Sequence, residues 1–207
     1  LDPEKLASLT QLGFNRLSIG IQSFNDNILQ SLNRVHTAKE GLKSVENAKN
    51  AGFDNINIDI IFAIPTSTHA LLASDLATAV ELGVQHISAY ALTIEPRTVF
   101  GNWLKRKKFI EADEEFSAKQ FLLCLDMLTQ AGYEHYEISN YARPGFHSKH
   151  NSSYWTHEKY LGIGPGAHAF NGVTRQFNVS NNHLYRKALD SGELPCEKEK
   201  LSPLELA

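Results

Sequence analysis

The stretch "RLSIGIQSF", residues 16–24, decides the fold, because its apolar and polar residues alternate as in a β-strand with two unlike faces. One face is aliphatic and consists of Leu17, Ile19 and Ile21. The other face is small or polar and consists of Ser18, Gly20 and Gln22. Two similar stretches follow, "NINIDIIF" at 55–62 and "HISAYALT" at 86–93. Helical periodicity separates the three, which predicts an α/β chain of strand–helix units with parallel strands and right-handed crossovers.

The polar face determines which α/β architecture we expect. Asn57 and Asp59 continue this face from the first strand onto the second. Strands of a flat parallel sheet are usually covered on both faces and are apolar on both. In a (β/α) barrel one face points into the lumen, and ligands bind at the strand ends. We therefore predict a partial (β/α) barrel with a polar ligand wall; the alternative is that these groups satisfy one another inside the barrel.

Composition excludes several classes of function. The chain has 207 residues and a formal charge of -3, so it presents no broad positive field to nucleic acid or to an anionic membrane. The basic run at 105–108 is typical of a solvated helix end. Cys124 and Cys196 are far apart and indicate neither a disulfide framework nor a cysteine metal site. Without an apolar run of roughly 20 residues, the expected location is the cytoplasm.

The pattern changes after the third strand. A longer helix is predicted over 113–131, and "YEHYEISNYA" at 133–142 predicts a further strand. Beyond Arg143 the sequence shows little periodicity, so we expect a loop-rich C-terminal extension with short helices at 181–191 and after residue 202. The predicted domains are residues 1–140, the partial barrel, and 141–207, the start of a C-terminal region.

Two charged residues in the barrel stand out. Arg34 follows Gln22 by 12 positions, where a cation can hold a ligand carboxylate or phosphate. Asp59 lies between isoleucines, where a carboxylate is costly unless it is paired or accepts hydrogen bonds. The sequence leaves an ion pair between Asp59 and Arg34 and a ligand contact equally open.

The C-terminal part contains two further motifs. "LGIGPGAHAF" at 161–170 allows a ligand close to the backbone, but its spacing is not that of a dinucleotide or phosphate loop. "HNSSYW" at 150–155 combines a potential heme-iron ligand, His150, with the flat rings of Tyr154 and Trp155. A histidine in a loop is more often a hydrogen-bonded surface residue, so this motif alone decides nothing.

Together, in this order, the motifs resemble the oxygen-independent coproporphyrinogen III oxidase family of radical S-adenosylmethionine (SAM) proteins. The resemblance covers about residues 1–180 and is carried by "RLSIGIQSF", "LNRVH", "NINIDIIFAIP", "HISAYALTIEP", "YEHYEISNYARPG", "HNSSYW" and "YLGIGPGAHAF". The HNxxYW pattern is characteristic of the heme-chaperone branch of that family. The resemblance implies a partial (β/α) barrel that binds SAM against a [4Fe-4S] cluster in the intact protein.

The resemblance also implies five SAM-binding residues. Gln22 matches the strand glutamine that contacts SAM, and Arg34 matches the arginine near its carboxylate. Asp59 matches the acidic residue that approaches the ribose. Ala91 matches a strand position near the adenine, where its alternation favours a backbone contact, and His168 falls at another adenine-side position.

For heme, the resemblance implies His150 as the ligand, with Asn151, Tyr154 and Trp155 completing the motif. The main functional prediction is a chaperone that binds heme and delivers it to respiratory proteins of the membrane. The alternative is oxidative decarboxylation of two propionates of coproporphyrinogen III to vinyls. A third hypothesis, from another class, is a cluster-free binding or scaffold module.

One departure from the family affects the chemistry. The CxxxCxxC loop, whose three thiolates hold the cluster, does not occur in this sequence. We therefore expect the chain to be a fragment, the second part of the barrel without the N-terminal cluster loop, and expect it not to cleave SAM. The unpaired strand edges of such a half-barrel predict dimerisation or poor stability.

Overall fold

The computed structural model describes residues 1–96, 98–107 and 110–202. Its elements in chain order are α1 (Pro3–Gln11), β1 (Leu17–Gln22), α2 (Asp26–Ser31), α3 (Ala38–Asn50), β2 (Ile56–Phe62), α4 (His69–Glu81), β3 (His86–Ala91), α5 (Val99–Lys105), α6 (Glu114–Gln130), β4 (Glu134–Glu137), β5 (Asn140–Ala142), α7 (Lys149–Trp155), β6 (His168–Phe170), β7 (Thr174–Asn178), α8 (Asn182–Asp190) and β8 (Cys196–Lys200). Backbone contacts divide the chain into two compact units, residues 1–147 and a second that begins at Ser148. The domain boundary expected after residue 140 stays a prediction.

The first unit contains one five-stranded sheet in the order β1-β2-β3-β5-β4. β1, β2 and β3 are parallel neighbours, as the repeating strand–helix pattern predicts. In their register Asn57 lies between Ser18 and His86. The next neighbour, β5, is antiparallel to β3.

The prediction of a single strand over 133–142 is wrong. A turn at residues 138 and 139 divides it into β4 and β5, which pair with each other in antiparallel fashion. The physical reason is the short connection, since a two-residue turn joins antiparallel strands, whereas parallel neighbours need a long crossover. The side chain of Ile138 at this turn is 65% exposed.

The main hydrophobic core lies on one face of the sheet. The aliphatic face of β1 to β3 packs with buried residues of α1, α3, α4 and α6, and Ile58 and Ile87 are completely buried there. The opposite face holds the polar side chains of the same strands. Helices on one face of a parallel sheet are the arrangement of a partial (β/α) barrel, so the fold class is confirmed.

Local sequence signals explain where several helices begin. Asp2 accepts a hydrogen bond from the N–H of Glu4, and Pro3 is the first helical residue of α1, as the sequence predicts. Thr37 and Glu40 form a reciprocal capping box at the start of α3. The basic run at 105–108 begins at the end of α5, and Lys108 lies outside the described residues.

The second unit contains an antiparallel sheet in the order β6-β7-β8 together with α7 and α8. Loops connect these short elements, and the predicted helix at 181–191 corresponds to α8. The strands of three to five residues were not predicted, because such lengths show too little periodicity. The helix expected after residue 202 lies outside the described residues. Within the described parts of both units, no helix has the length and hydropathy needed to cross a membrane.

Candidate functional site

Asp59 lies in the middle of β2 on the polar face of the sheet. Its Oδ1 accepts hydrogen bonds from Asn57 Nδ2 at 2.7 Å and from Ser18 Oγ at 3.4 Å. Burial raises the pKa of Asp59, while hydrogen bonds, first from Asn57 and then from Ser88, act in the opposite direction. Asp59 is therefore a partly buried carboxylate that its neighbours orient, and no ion pair with a described residue balances its charge.

Gln22 ends β1 in an uncommon conformation. Its φ is 72°, a β-bulge lies between Gly20 and Gln22, and its side chain is 7% exposed. A Cβ added to Gly20 would lie 2.6 Å from Gln22 Nε2 and 3.9 Å from Asp59 Oδ2. The Gln22 amide thus folds back over Gly20. Because Gly20 has no side chain, the amide of Gln22 and the carboxylate of Asp59 can both lie at this point of the polar face.

Deeper along the same face, polar side chains satisfy one another. A buried histidine, His86, contacts Asn57 Oδ1 through Nδ1 at 2.6 Å and the Tyr136 hydroxyl through Nε2 at 2.7 Å. Ser88 Oγ donates to Asn140 Oδ1 at 2.6 Å. Burial, followed by the charges of Arg16 and His147, lowers the pKa of His86 to about 4, so the ring is neutral at pH 7. A neutral ring fits these contacts when Nδ1–H donates to Asn57 and Nε2 accepts from Tyr136.

The contacts of the polar face differ along the strands, and the ligand wall stays a prediction. The N-terminal half of the face is a closed network, as the packed-barrel alternative supposes. Towards the C-terminal ends of the strands, Asp59 and Gln22 face the same space. Ligands of barrel folds bind at that end.

Arg34 is exposed in the loop after α2 and forms no ion pair with Asp59. The ion-pair alternative is therefore wrong. The cation that acts on the pKa of Asp59 is Arg16, which precedes β1. Arg34 Nη and Nε groups remain without an acidic partner among the described residues.

Ala91 lies at the end of β3. Its side chain is on the same face of the strand as that of Ala89, and Ser88 is on the other face. The side chain of Ala91 lines an apolar cleft of about 460 Å³ with Phe62, Ser117 and Phe121 on the helix-covered side. Only the backbone of Ala91 is available to the polar face, which agrees with the alternation argument. His168 belongs to the second unit, where it begins β6 and its ring contacts Phe177 edge to face at 4.8 Å.

Sequence reasoning missed a carboxylate that anchors the loop after Gln22. Asp75, on α4 and 6% exposed, accepts hydrogen bonds from Ser23 Oγ at 2.5 Å and from the N–H of Phe24 at 2.9 Å. Burial raises the pKa of Asp75. The signal was present as an acidic residue in the otherwise largely apolar helical stretch "HALLASDLATAV", 69–80.

The HNSSYW motif lies on α7 and not in a loop, which corrects the expectation. Ser148 caps this helix, and its Oγ accepts from the N–H of Asn151. His150 and Tyr154, four residues apart, share one face; His150 Nε2 lies 3.2 Å from the Tyr154 hydroxyl and the rings meet edge to face. Tyr154 and Trp155 are 47% and 56% exposed. When Nε2–H donates to Tyr154, the Nδ1 lone pair of His150 is free for a metal ion.

Comparison with known proteins identifies the family. Residues 1–79 match the model of the Radical SAM superfamily. The heme chaperone HemW of Bacillus subtilis (strain 168) is 40% identical over 179 residues, which are 86% of this chain and 47% of that protein. Residues 1–79 therefore form part of a radical SAM domain. HemW of Escherichia coli (strain K12) is 36% identical over 168 residues, 81% of this chain and 43% of that protein. The resemblance to the heme-chaperone branch is confirmed, and the radical SAM chain spans about half the length of the curated relatives it matches.

The solved structures confirm the fold. Coproporphyrinogen III oxidase (HemN) from Escherichia coli, described as a radical SAM enzyme, superimposes with a TM-score of 0.79 at 21% identity. The match covers 98% of this chain and 49% of that one. The archaeal Elp3 of Methanocaldococcus infernus matches 63% of the chain with a TM-score of 0.53 at 17% identity. At these identities the likeness concerns the fold alone.

Membership of the radical SAM superfamily implies SAM and a [4Fe-4S] cluster in its intact proteins. The described residues of this chain do not fit the cluster. Cys124 is buried in the core, where burial raises the pKa of its thiol to about 12, and Cys196 lies in the other unit. No group of three His, Cys, Asp or Glu residues in the described parts is placed to hold a metal ion.

Proposed function

We propose that this chain is part of a heme chaperone that binds heme through His150 and SAM at the polar face of its partial barrel. The observation that carries the proposal is the presentation of His150 and Tyr154 on one exposed helix face, with a ring nitrogen available to iron. The relatives at 36 to 41% identity that bear the name heme chaperone HemW support it.

For SAM, the supporting geometry is the C-terminal part of the polar face. Asp59 offers carboxylate oxygens to ribose hydroxyls, and Gln22 offers an amide over Gly20. The exposed Arg34 has no acidic partner in the part of the chain that the structure describes, and it is available to a carboxylate. Ala91 contributes its backbone, and His168 remains a proposal for the adenine side.

The alternative activity, decarboxylation of coproporphyrinogen III, is less well supported. The solved structure that carries the name of this activity is coproporphyrinogen III oxidase at 21% identity, and at that identity the likeness shows the fold alone. The relatives at 40% and 36% identity carry the chaperone name. We therefore propose a cytoplasmic chaperone whose heme acceptors are respiratory proteins of the membrane.

The test is a hemin titration of this chain followed by its Soret absorbance. Saturable binding is expected for the wild type, and His150→Ala should remove the spectrum of a histidine-ligated iron, because no other residue of the motif supplies an imidazole. The control is His183→Ala, which removes another exposed histidine of the second unit, on α8.

His183→Ala should bind as the wild type does. Equal loss in both variants would mean that the histidines act only through folding or surface charge. An unchanged spectrum in His150→Ala would overturn the assignment of His150.

A further inference from the structure

A small pocket adjoins the face of α7 that carries His150 and Tyr154. It has a volume of about 130 Å³ and is lined by Tyr154, His157, Glu158, Tyr160, Phe170 and Arg175. All of these residues belong to the second unit. Tyr154 contacts both the His150 ring, with centroids 5.1 Å apart, and the Tyr160 ring, at 4.9 Å. The pocket is thus connected to the proposed iron ligand through one aromatic side chain.

Backbone pairing fixes the walls of this pocket. The N–H of Tyr160 donates to Phe170 O, and the N–H of Phe170 donates to Tyr160 O, both at 2.9 Å. Phe170 in turn pairs with Arg175 across β6 and β7. Directly opposite residues of an antiparallel pair project to the same face. The guanidinium of Arg175 therefore lies in one row with the aromatic rings of Phe170 and Tyr160.

Arg175 forms no ion pair within the described residues, although acidic residues are near. Glu199 is its register partner on β8, and Glu158 lines the pocket, but neither carboxylate lies within 4.0 Å of its guanidinium. By sequence, the second unit also carries a more positive net charge than the first. Residues 148–207 contain seven Lys and Arg against six Asp and Glu, a net charge of +1, while residues 1–147 carry 13 against 17, a net charge of -4.

We propose that Arg175 binds a carboxylate on the edge of the planar tetrapyrrole whose iron His150 ligates. The inference rests on the proposed heme function. It extends that function to the carboxylates of the ligand, which distinguish heme from an uncharged ring. A pocket of about 130 Å³ is below the range of roughly 300–1,000 Å³ that encloses a whole small ligand, so it takes only one edge. The aromatic walls suit the apolar ring, and the guanidinium suits a propionate, to which it can donate two parallel hydrogen bonds.

The experiment compares hemin with hemin dimethyl ester, in which both carboxylates are capped and uncharged. Arg175→Gln should weaken hemin binding about tenfold, the loss of roughly one charge-assisted contact, and leave binding of the ester unchanged. Arg175→Lys should be intermediate, because an ammonium keeps the charge without the planar fork. Arg186→Gln, which removes another exposed arginine of the same unit, is the matched control and should affect neither ligand.

The Soret spectrum separates this inference from the proposed function. An unchanged spectrum of bound hemin in Arg175→Gln shows that the His150 ligation and the fold are intact. His150-dependent binding that Arg175→Gln leaves unaltered, or weakens equally for hemin and its ester, would overturn the carboxylate assignment alone. Absence of His150-dependent binding in the wild type would overturn the proposed function and this inference with it.

Discussion

At the scale of single residues, Gly20 determines where the Gln22 amide lies. Because a Cβ at residue 20 would come within 2.6 Å of Gln22 Nε2, Gly20→Ala should displace this amide, the far end of a flexible side chain. We expect SAM affinity to fall about tenfold, with the free energy of unfolding changed by less than about 1 kcal/mol. Isothermal titration with SAM and urea denaturation measure the two quantities.

A double-mutant cycle makes the Gly20 prediction specific. In a Gln22→Ala background no amide remains to be displaced, so Gly20→Ala should cause little further loss of SAM affinity. Additive losses would show that residue 20 acts independently of Gln22, through the backbone or through direct contact with SAM. The variants Gly20→Ala and Gln22→Ala should both retain the hemin titration of the wild type, since His150 belongs to the other unit.

At the scale of elements, His86 connects β2, β3 and β4 through Asn57 and Tyr136. Its pKa of about 4 lies below the 6.5 of the unfolded chain, so folding favours the neutral ring. This contribution to stability is complete above pH 6.5 and is lost as the pH falls from 6.5 towards 4. It amounts to about 2–3 kcal/mol between pH 7 and pH 4.5.

The measurement is urea denaturation at both pH values for the wild type and His86→Gln. The variant starts from lower stability at pH 7, but it should lose about 2–3 kcal/mol less than the wild type on acidification, because Gln does not titrate. Other carboxyl groups, such as Asp59 and Asp75, are common to both proteins and cancel in this difference. An equal loss in both proteins would show that His86 is not the group responsible.

The elements differ in how far the sequence predicts them. The alternation in β1 to β3 is long enough to define which residues face the core, and Gln22, Asp59 and Ala91 lie on the faces it predicts. It does not reveal the bulge at Gln22, which depends on register with β2. The β4–β5 turn contains no Gly, Pro or Asn at residues 138 and 139, and α7 has only seven residues with an Asn and two Ser, so local propensity indicated neither.

At the scale of the whole molecule, β1 is an edge strand, since among the described strands it pairs only with β2. The N–H of Leu17 donates to Asn55 O, and in a parallel pair alternate residues bond to the same neighbour. The N–H groups of Ser18 and Gly20 therefore point away from β2, along a free edge. Unpaired edges of this kind associate with other edges, so we expect a concentration-dependent dimer of this chain.

Ser18→Pro tests this edge directly, because proline removes the outward N–H at a position where no bond to β2 is lost. Ser18→Ala is the matched control, since it also removes the hydroxyl that contacts Asn57 and Asp59 but keeps the N–H. Light scattering across a wide concentration range should give a dimer for the wild type and Ser18→Ala and a monomer for Ser18→Pro. A wild-type monomer at every concentration, or a dimer that persists in folded Ser18→Pro, would place any self-association elsewhere than β1.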